Sequence, residues 1–320
     1  MMKSPETATL DAPQSASLFH ESWGFFKKDK MAYSSFLFLV GLGIFAVLGK
    51  AATAWIAAFD PSAVRLADKF MAPFSAYQGA PGDTPPLFGI YWMGTDELGR
   101  DVLSRMLEGT SVSLTVGFIA VGIAMAVGIF MGGIAGFYGA KKIGFVTVDT
   151  LIMRFVDIML CFPAFFLILT VVALLPPSIY NIMIVIGLTS WMGAARFVRA
   201  EFLAMREQDF VVAAKSQAIP EWRIIFIHMA PNALAPVLVS AVIGVAMAIL
   251  TESGLSFLGF GVQPPDATWG NILADGKQFI FDAPWLTFIP GCAILVVVLA
   301  FNLCGEGLRE AFNPKLRERR

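Results

Sequence analysis

Residues 201–232 read EFLAMREQDFVVAAKSQAIPEWRIIFIHMAPN and form a polar island between two strongly apolar segments. The flanking segments, 180–200 and 233–257, are each long enough to cross a bilayer as a helix. Prolines interrupt the helical pattern of the island, so we expect amphipathic helices that meet at Pro220 and end at Pro231. A basic, amphipathic element on one face of a membrane protein is typical of a docking surface for a soluble partner.

The composition of the whole chain indicates a membrane protein. Of its 320 residues, 57% are hydrophobic and 15% are charged, against roughly 25% charged residues in an ordinary soluble domain. Mean hydropathy is +0.71. The formal net charge is −1, so the chain lacks the basic character of proteins that bind nucleic acid, and we expect no nucleic-acid partner.

Six segments are long and apolar enough to cross a membrane. Spanning about 30 Å of hydrocarbon takes roughly 20 apolar residues in a helix, because unpaired backbone amides find no water there. The sequence therefore predicts an all-α membrane protein with six transmembrane helices. The predicted spans are 31–58, 112–137, 148–175, 180–200, 233–257 and 285–308.

The distribution of basic residues predicts the orientation. Lys27, Lys28 and Lys30 precede the first span, which carries no suitably placed cleavage site and should remain as an anchor. With six spans, most of the 23 basic residues fall on the side of the N-terminus, which fits the positive-inside rule. We therefore expect the tails 1–30 and 309–320 to be cytoplasmic, together with the island.

Two segments on the opposite, periplasmic side are long enough to form structure. In 59–110, Thr95 and Asp96 supply a cap and a negative charge at a helix start, and apolar residues recur at helical spacing after them. We predict a short amphipathic helix at the outer interface there. The second segment, 259–284, mixes turn signals with aromatic residues and could form an outer cap over a pore.

Polar residues of the outer segments and of the fifth span are candidates for gating or for contact with an external partner. A purely structural role at the interface is the alternative for the outer residues. Glu252, between Thr251 and Ser253 late in the fifth span, either lines a pore or bonds a neighbouring helix. The candidates are Thr95, Asp96, Arg100, Asp101, Glu252, Pro264 and Trp269.

Motifs for catalysis, metal binding and nucleotide binding are absent from the sequence. No G-x-x-x-x-G-K-[ST] stretch occurs, and GAKKIG around Lys141 lacks its spacing and its hydroxyl residue. The two histidines, His20 and His228, cannot assemble a metal cluster, and no nucleophile is paired with a base. We expect this chain to be no enzyme and to hold neither metal nor cofactor.

The island offers the strongest candidate site. Its apolar residues alternate with Arg206, Asp209, Lys215 and Arg223, and its small residues permit a close approach to a groove on another protein. From composition alone, a helix resting on lipid headgroups fits about equally well. The candidate contact residues are Ala213, Ala214, Lys215, Ala218, Glu221, Trp222 and Arg223.

The order of residues within 209–232 resembles the cytoplasmic coupling loop of importer-type ABC permeases, whose pattern is Glu-Ala-Ala, three residues, then Gly. Ala213 and Ala214 match the paired alanines. Val212 stands where the family often has Glu, which removes a charged contact with an ATPase. Ala218 replaces the Gly and so should lack its easy left-handed bend, although the following proline can still break the helix.

Further motifs along the chain are similar to the C-type permease subunit of the dipeptide, oligopeptide and nickel import family. They are MGTDELGRDVLSRMLEGTSVSLTVG, GGIAGFYG, FPAFF, ESGLSFLGFGVQPPDATWGNIL and GEGLREAFNPKLR. The resemblance implies a type-1 ABC importer permease fold with its core at 111–308, including the cytoplasmic loop 201–232 and the periplasmic loop 259–284.

The same resemblance implies half of the translocation pore of an ATP-driven, binding-protein-dependent importer in a bacterial inner membrane, most simply for peptides. The implied partners are a homologous B-type permease, two ABC ATPase subunits that bind ATP and magnesium, and an external substrate-binding protein. The alternatives are a channel or secondary transporter that works alone, and a membrane enzyme, which the missing catalytic pair disfavours.

Overall fold

The computed structural model describes residues 17–79 and 84–312. Residues 1–16 and 313–320 of the two predicted tails lie outside the described residues. The described chain is helical, with short antiparallel ribbons in two of its connections. Helices are α1 (Ser17–Lys28), α2 (Lys30–Trp55), α3 (Val102–Phe137), α4 (Val148–Cys161), α5 (Ala164–Leu174), α6 (Ile179–Arg206), α7 (Asp209–Ser216), α8 (Glu221–Arg223), α9 (Ala230–Phe257), α10 (Trp269–Gly276) and α11 (Trp285–Phe312).

Shorter elements complete the chain. A π-helix, Ile224–Met229, joins α8 to α9. Single 3-10 turns lie at Ala57–Phe59, Leu66–Asp68, Leu87–Gly89 and Lys277–Phe279. The strands β1 (Ser75–Ala76) and β2 (Ile90–Tyr91) pair in one ribbon, and β3 (Lys142–Ile143) and β4 (Val146–Thr147) pair in the other.

Five helices are long and apolar enough to cross a membrane: α2, α3, α6, α9 from Val237, and α11. The pair α4 and α5 passes the same test together, but its two axes are bent by 83°. The prediction of an all-α membrane protein is confirmed, with six crossings if the bent pair counts as one. We call the end of the bundle that carries 56–101 and 258–284 the loop end, and the end that carries 207–229 the island end.

The separate outer helix predicted near Thr95 does not form. The Asp96 carboxylate instead accepts hydrogen bonds from the backbone N–H groups of Leu98 and Arg100, both at 2.9 Å, and so closes a turn. Asp101 is the residue that caps a helix, because its carboxylate accepts from the N–H of Ser104 at 3.1 Å. That helix is α3, which is 36 residues long and continues unbroken through the predicted span 112–137.

The predicted third span, 148–175, is two helices rather than one. Pro163 follows the end of α4 and has no backbone N–H to continue the ladder, and the residue before a proline is disfavoured in helical conformation. Phe162 is accordingly extended, with φ −84° and ψ 133°. Hydrophobicity identified the segment, but the proline decides its shape.

The island is more continuous with its flanking helices than the sequence predicted. Helix α6 runs to Arg206 instead of ending at residue 200. The helical path also does not end at Pro231, which lies in the first turn of α9. Pro231 has no N–H group to donate to the carbonyl four residues before it. The wider turns of the π-helix Ile224–Met229 immediately precede the proline, at the place where that α-helical hydrogen bond is missing.

The closest helix pair in the bundle is α3 with α6. Three glycines of α3 are spaced four residues apart, and a Cβ atom on any of them would collide with α6: at 2.6 Å with Ala194 Cβ from Gly128, at 2.4 Å with Ala195 O from Gly132, and at 2.5 Å with Phe202 Cβ from Gly136. Small residues let helix backbones approach closely in a membrane, where burial of apolar side chains provides little drive for association. The backbones of α3 and α6 therefore lie in close contact from Gly128 to Gly136.

Candidate coupling surface and outer ion-pair cluster

The island folds into a compact element, residues 209–229, that we call the coupling surface. Helix α7 turns one side inward, where Val211 and Ala214 are buried against a cluster that includes Phe137 of α3 and Phe202 of α6. Met229, at the end of the π-helix, is buried in the same cluster. The coupling surface is therefore joined by apolar contacts to three helices of the bundle.

The opposite side of α7 is exposed. Val212, Ala213 and Lys215 all lie there, and the Lys215 ammonium sits 5.4 Å from the centre of the Phe137 ring. Ala214, also a predicted contact residue, is only 5% exposed. A partner that docks on α7 would consequently contact Ala213 directly, whereas Ala214 positions the helix from behind.

Helix α7 ends in a Schellman motif with an alanine in the place of the usual glycine. Ala218 has φ +56°, its N–H donates to Lys215 O at 3.0 Å, and the N–H of Ile219 donates to Ala214 O at 3.1 Å. The left-handed bend that the sequence predicted to be lost is thus present, although the Cβ atom disfavours it by about 1–2 kcal/mol. The motif places Pro220 and α8 beside α7.

Helix α8 is tied to the end of α3 by polar contacts at the surface. Glu221 lies 3.5 Å from the ammonium of Lys141, and that ammonium sits 4.3 Å from the centre of the Tyr138 ring. Desolvation and a hydrogen bond with Glu221 raise the pKa of Tyr138. Trp222 is 56% exposed, with the Arg223 guanidinium stacked 5.2 Å from its ring, so both remain available to a partner.

An apolar hollow separates part of the coupling surface from α3. Its volume is about 480 Å³, and it lies between the last turns of α3 and the π-helix. The lining residues include Phe130, Gly133, Trp222 and Phe226. The coupling surface therefore contacts the bundle at a few points and is not packed along its full length.

One exposed and one half-buried ion pair connect α4 to α6 near the island end. Arg154 and Asp157 lie three positions apart on α4, and their nearest charged atoms are 3.8 Å apart. Asp157 makes its hydrogen bond with Arg196 of α6, and Arg199 makes a bidentate bond with Asp149. The pairing within one helix is thus the weaker one, and the stronger pairs join two helices.

At the loop end, a buried carboxylate lies between two arginines. Asp96 is fully buried, and its Oδ2 atom accepts from Arg100 Nε at 2.6 Å and from Arg105 Nη1 at 2.7 Å. The same arginines reach Asp275 of α10, with Arg105 Nη2 donating at 2.9 Å. Because Asp96 precedes α3 and Asp275 follows α9, this cluster fastens two distant segments of the chain together.

The neighbouring residues of 59–101 are also fixed by buried bonds. Thr95 donates to Asp68 O at 2.5 Å and accepts from the N–H of Met71 at 2.8 Å. Burial raises the pKa of Asp101 despite its bonds with Ser104, and burial together with the Asp68 hydrogen bond raises that of Tyr91. Side chains held this tightly are unavailable for direct contact with another protein.

Helix α10 is seated at a junction of α3 and α9. The N–H of Trp269 donates to Ser113 Oγ of α3 at 3.3 Å. Gly270 lies against α9, where an added Cβ atom would be 2.7 Å from Ser253 Cα. Glu252 is fully buried beside this contact and accepts from Ser256 Oγ at 2.7 Å. This bond lies within α9 itself, so pore lining and bonding to a neighbouring helix both stay predictions for Glu252.

Two further features of the loop end concern Lys50 and the predicted contact residues. Lys50, which interrupts the first predicted span, pairs with Glu108 of α3 at 2.8 Å. Among the predicted outer contact residues, Pro264 is exposed, whereas Trp269, Asp96, Arg100 and Asp101 are buried. An external partner could thus meet the Pro264 loop directly, while the buried residues hold that end in shape.

The arrangement defines the class of protein. A bundle of membrane-length helices carries an exposed amphipathic element between two spans. This is the architecture of a membrane permease component. The chain belongs to the family of binding-protein-dependent transport system inner membrane components, whose sequence model matches residues 124–318.

Relatives of assigned function support this family membership. The dipeptide transport system permease protein DppC of Alkalihalophilus pseudofirmus is 44% identical over 227 residues, 71% of this chain and 73% of that protein. The protein of the same name from Escherichia coli strain K12 is 38% identical over 318 residues, 99% of this chain and 100% of that protein.

A solved structure shares the fold. A chain of the inward-facing MetNI methionine ABC transporter aligns with a TM-score of 0.50 and 15% sequence identity, covering 64% of this chain and 95% of that one. At this identity the likeness concerns the fold alone. This chain is therefore a multi-pass membrane permease subunit with an ABC importer permease fold.

Proposed function

We propose that this chain forms half of the translocation pore of an ATP-driven peptide importer. The observation that carries the cargo assignment is identity to a dipeptide permease along nearly the whole chain, 38% over 318 residues. A homologous B-type permease supplies the other half of the pore. An external binding protein delivers the peptide, and two ABC ATPase subunits bind ATP and magnesium.

The coupling surface carries force from the ATPases to the spans in this proposal. Its exposed face, with Ala213, Lys215 and Trp222, docks on an ATPase subunit. Its buried face, with Val211 and Ala214, contacts the ends of α3 and α6. When ATP binding closes the two ATPases, the element moves as one body and shifts the bundle between inward-facing and outward-facing states. ATP can do this only through its different affinity for the two states.

The distribution of charge supports a cytoplasmic island end. Lys141, Lys142, Lys215 and Arg223 are exposed there. At the loop end, the buried arginines of the Asp96 cluster are paired with carboxylates. Basic residues concentrate on the cytoplasmic side of membrane proteins, so we infer that the described N-terminal helix and α7 face the cytoplasm.

Reconstitution tests the proposal against its rivals. The chain, its B-type partner and the ATPases are placed in proteoliposomes, and uptake of a labelled dipeptide is measured with the binding protein outside and ATP inside. We expect uptake that requires both ATP and the binding protein. Movement of the dipeptide through this chain alone without ATP would indicate a channel or secondary transporter and would contradict the proposal.

A further inference from the structure

The break between α4 and α5 is a sharp elbow, residues 160–166. Helix α4 ends at Cys161 and α5 begins at Ala164, and their axes differ by 83°. The last carbonyl groups of one helix and the first N–H groups of the next lack intrahelical partners, as at any pair of helix ends. Phe162 N–H bonds to Met159 O at 3.3 Å and Leu167 N–H bonds to Pro163 O at 3.1 Å.

Packing places this elbow well inside the bundle's membrane-spanning length. Val156 of α4 is buried in a cluster with Ala124 of α3 and Trp191 of α6. At 1.5 Å per residue, Ala124 lies about 20 Å from the end of α3 at Phe137, and Trp191 lies about 18 Å from the start of α6. The elbow follows Val156 by less than two turns, so it is near the middle of the bundle.

The elbow is nevertheless exposed in this subunit. Cys161, Pro163 and Ala164 are exposed, as are Phe162 at 54% and Phe166 at 65%. Irregular backbone does not face lipid within the hydrocarbon layer, because its unpaired polar groups would find no partner there. Such backbone is tolerated where protein covers it or where it borders a water-filled cavity.

A hollow beside the elbow favours the second of these conditions, a border with a water-filled cavity. It has a volume of about 400 Å³ and lies between α3, α6 and α9, with Ser190, Ser240 and Thr251 among its lining residues. Phe165 of the elbow lies against Gly254 of α9, where an added Cβ atom would be 3.2 Å from its ring. Gly254 contacts the elbow, and Thr251 lines the hollow. Because these two residues are three positions apart, they share one face of α9, and the elbow therefore lies next to the hollow.

We propose that the elbow and this hollow line the water-filled translocation path, and that the exposed backbone groups of the elbow hydrogen-bond to water and to the main chain of a passing peptide. This inference rests on the proposed function. The described lining residues of the hollow carry no charge. A surface that offers backbone and hydroxyl groups recognises the part that all peptides share and discriminates little between their side chains.

Two native cysteines provide a matched pair of probes. Cys161 is in the elbow, and Cys292 is an exposed residue of α11 that lines an apolar groove against α2 and α3. Cys304 is buried. The variants Cys292→Ser and Cys161→Ser each leave one exposed cysteine, and both substitutions fall on exposed positions. The double variant gives the background from Cys304.

The experiment measures labelling in the complete transporter in proteoliposomes. A charged, membrane-impermeant methanethiosulfonate reagent reacts with the thiolate, which forms readily in water and poorly in hydrocarbon. We expect Cys161 to react at least about tenfold faster than Cys292, and we expect saturating dipeptide to slow the reaction of Cys161. A lipid-soluble maleimide should label Cys292 in the same preparation.

Each other outcome overturns the inference. Labelling of Cys161 by the maleimide but not by the charged reagent would mean that the elbow faces lipid, and resistance to both would mean that another subunit covers it. Dipeptide uptake by the wild-type preparation is measured in parallel. ATP-dependent uptake with an unreactive Cys161 would refute the elbow assignment alone, whereas absence of uptake would refute the proposed function.

Discussion

The two ends of this molecule are held together by different kinds of contact. At the loop end, a fully buried Asp96 lies between two arginines that also bind Asp275. At the island end, the ion pairs are exposed or half-buried, and the coupling surface rests on apolar contacts beside a hollow of about 480 Å³. A buried charge cluster tolerates little displacement, whereas apolar contacts allow sliding. These contacts indicate a fixed loop end and a movable island end.

The largest expected effect is at the fixed end. Replacing Asp96 with Ala leaves Arg100 and Arg105 without their buried partner, and breaking a buried ion pair in this way typically costs about 3–5 kcal/mol. We expect a lower unfolding temperature and a lower yield of the assembled complex. Asp282→Asn, an exposed carboxylate at the same end, is the control and should behave like wild type. Equal stability of all three proteins would show that the cluster does not hold this end.

The second-largest expected effect is on the transmission of movement from the ATPases to the spans at the island end. Ala213→Trp adds bulk on the exposed face of α7. We expect the rate of ATP-dependent dipeptide uptake to fall at least about tenfold, which corresponds to about 1.4 kcal/mol of activation free energy. Thermal unfolding should not change. Ala214→Trp is the matched contrast, because its side chain would enter the buried cluster and should lower stability as well. Unimpaired uptake by Ala213→Trp would remove α7 from the ATPase contact.

A smaller effect is expected at the end of α7. Ala218 has a left-handed backbone conformation that glycine adopts without steric cost, so Ala218→Gly should stabilise the turn by roughly 1 kcal/mol. Hydrogen exchange of the amides of Lys215 to Ile219 measures this locally. Ala213→Gly, in the regular part of α7, should instead destabilise the helix and speed the exchange of these amides. Faster exchange in Ala218→Gly would contradict the Schellman geometry.

The smallest effect concerns a half-exposed ion pair at the loop end. The Lys50 side chain is 52% exposed and that of its partner Glu108 only 10%, so Glu108→Gln removes the buried charge and leaves an ammonium that water can solvate. We expect Glu108→Gln to leave the unfolding temperature within a degree or two of wild type. A loss as large as that of Asp96→Ala would mean that the loop end depends on this pair as much as on its buried cluster.

Local patterns were sufficient for the parts of the fold that depend on neighbouring residues. Apolar length located the membrane helices, and amphipathic spacing located the helical element between two of them. The resemblance of the motifs identified the family that the comparisons confirm. The individual coupling contacts stay predictions, because they depend on subunits other than this chain.

What local patterns missed depends on residues far apart or on backbone detail. Arg105 and Asp275 are 170 positions apart, and no spacing rule joins them. Pro163 and Asp101 are local signals for the elbow and for the helix cap, but the continuous hydrophobicity of 148–175 favours a single span, and Asp96 favours an earlier helix start. The bend at Ala218 shows that the two local hydrogen bonds of a Schellman motif can accompany a conformation that the residue itself disfavours.

Crosslinking from the exposed face of α7 tests the central claim most directly. Ala213→Cys is combined with Cys161→Ser and Cys292→Ser, and the complete transporter in membrane vesicles is treated with a short bifunctional thiol reagent. The account predicts a crosslink between residue 213 and an ATPase subunit, its yield changing when ATP is added. Modification of residue 213 by an impermeant reagent from the outer face of intact cells, with no crosslink to an ATPase, would contradict it.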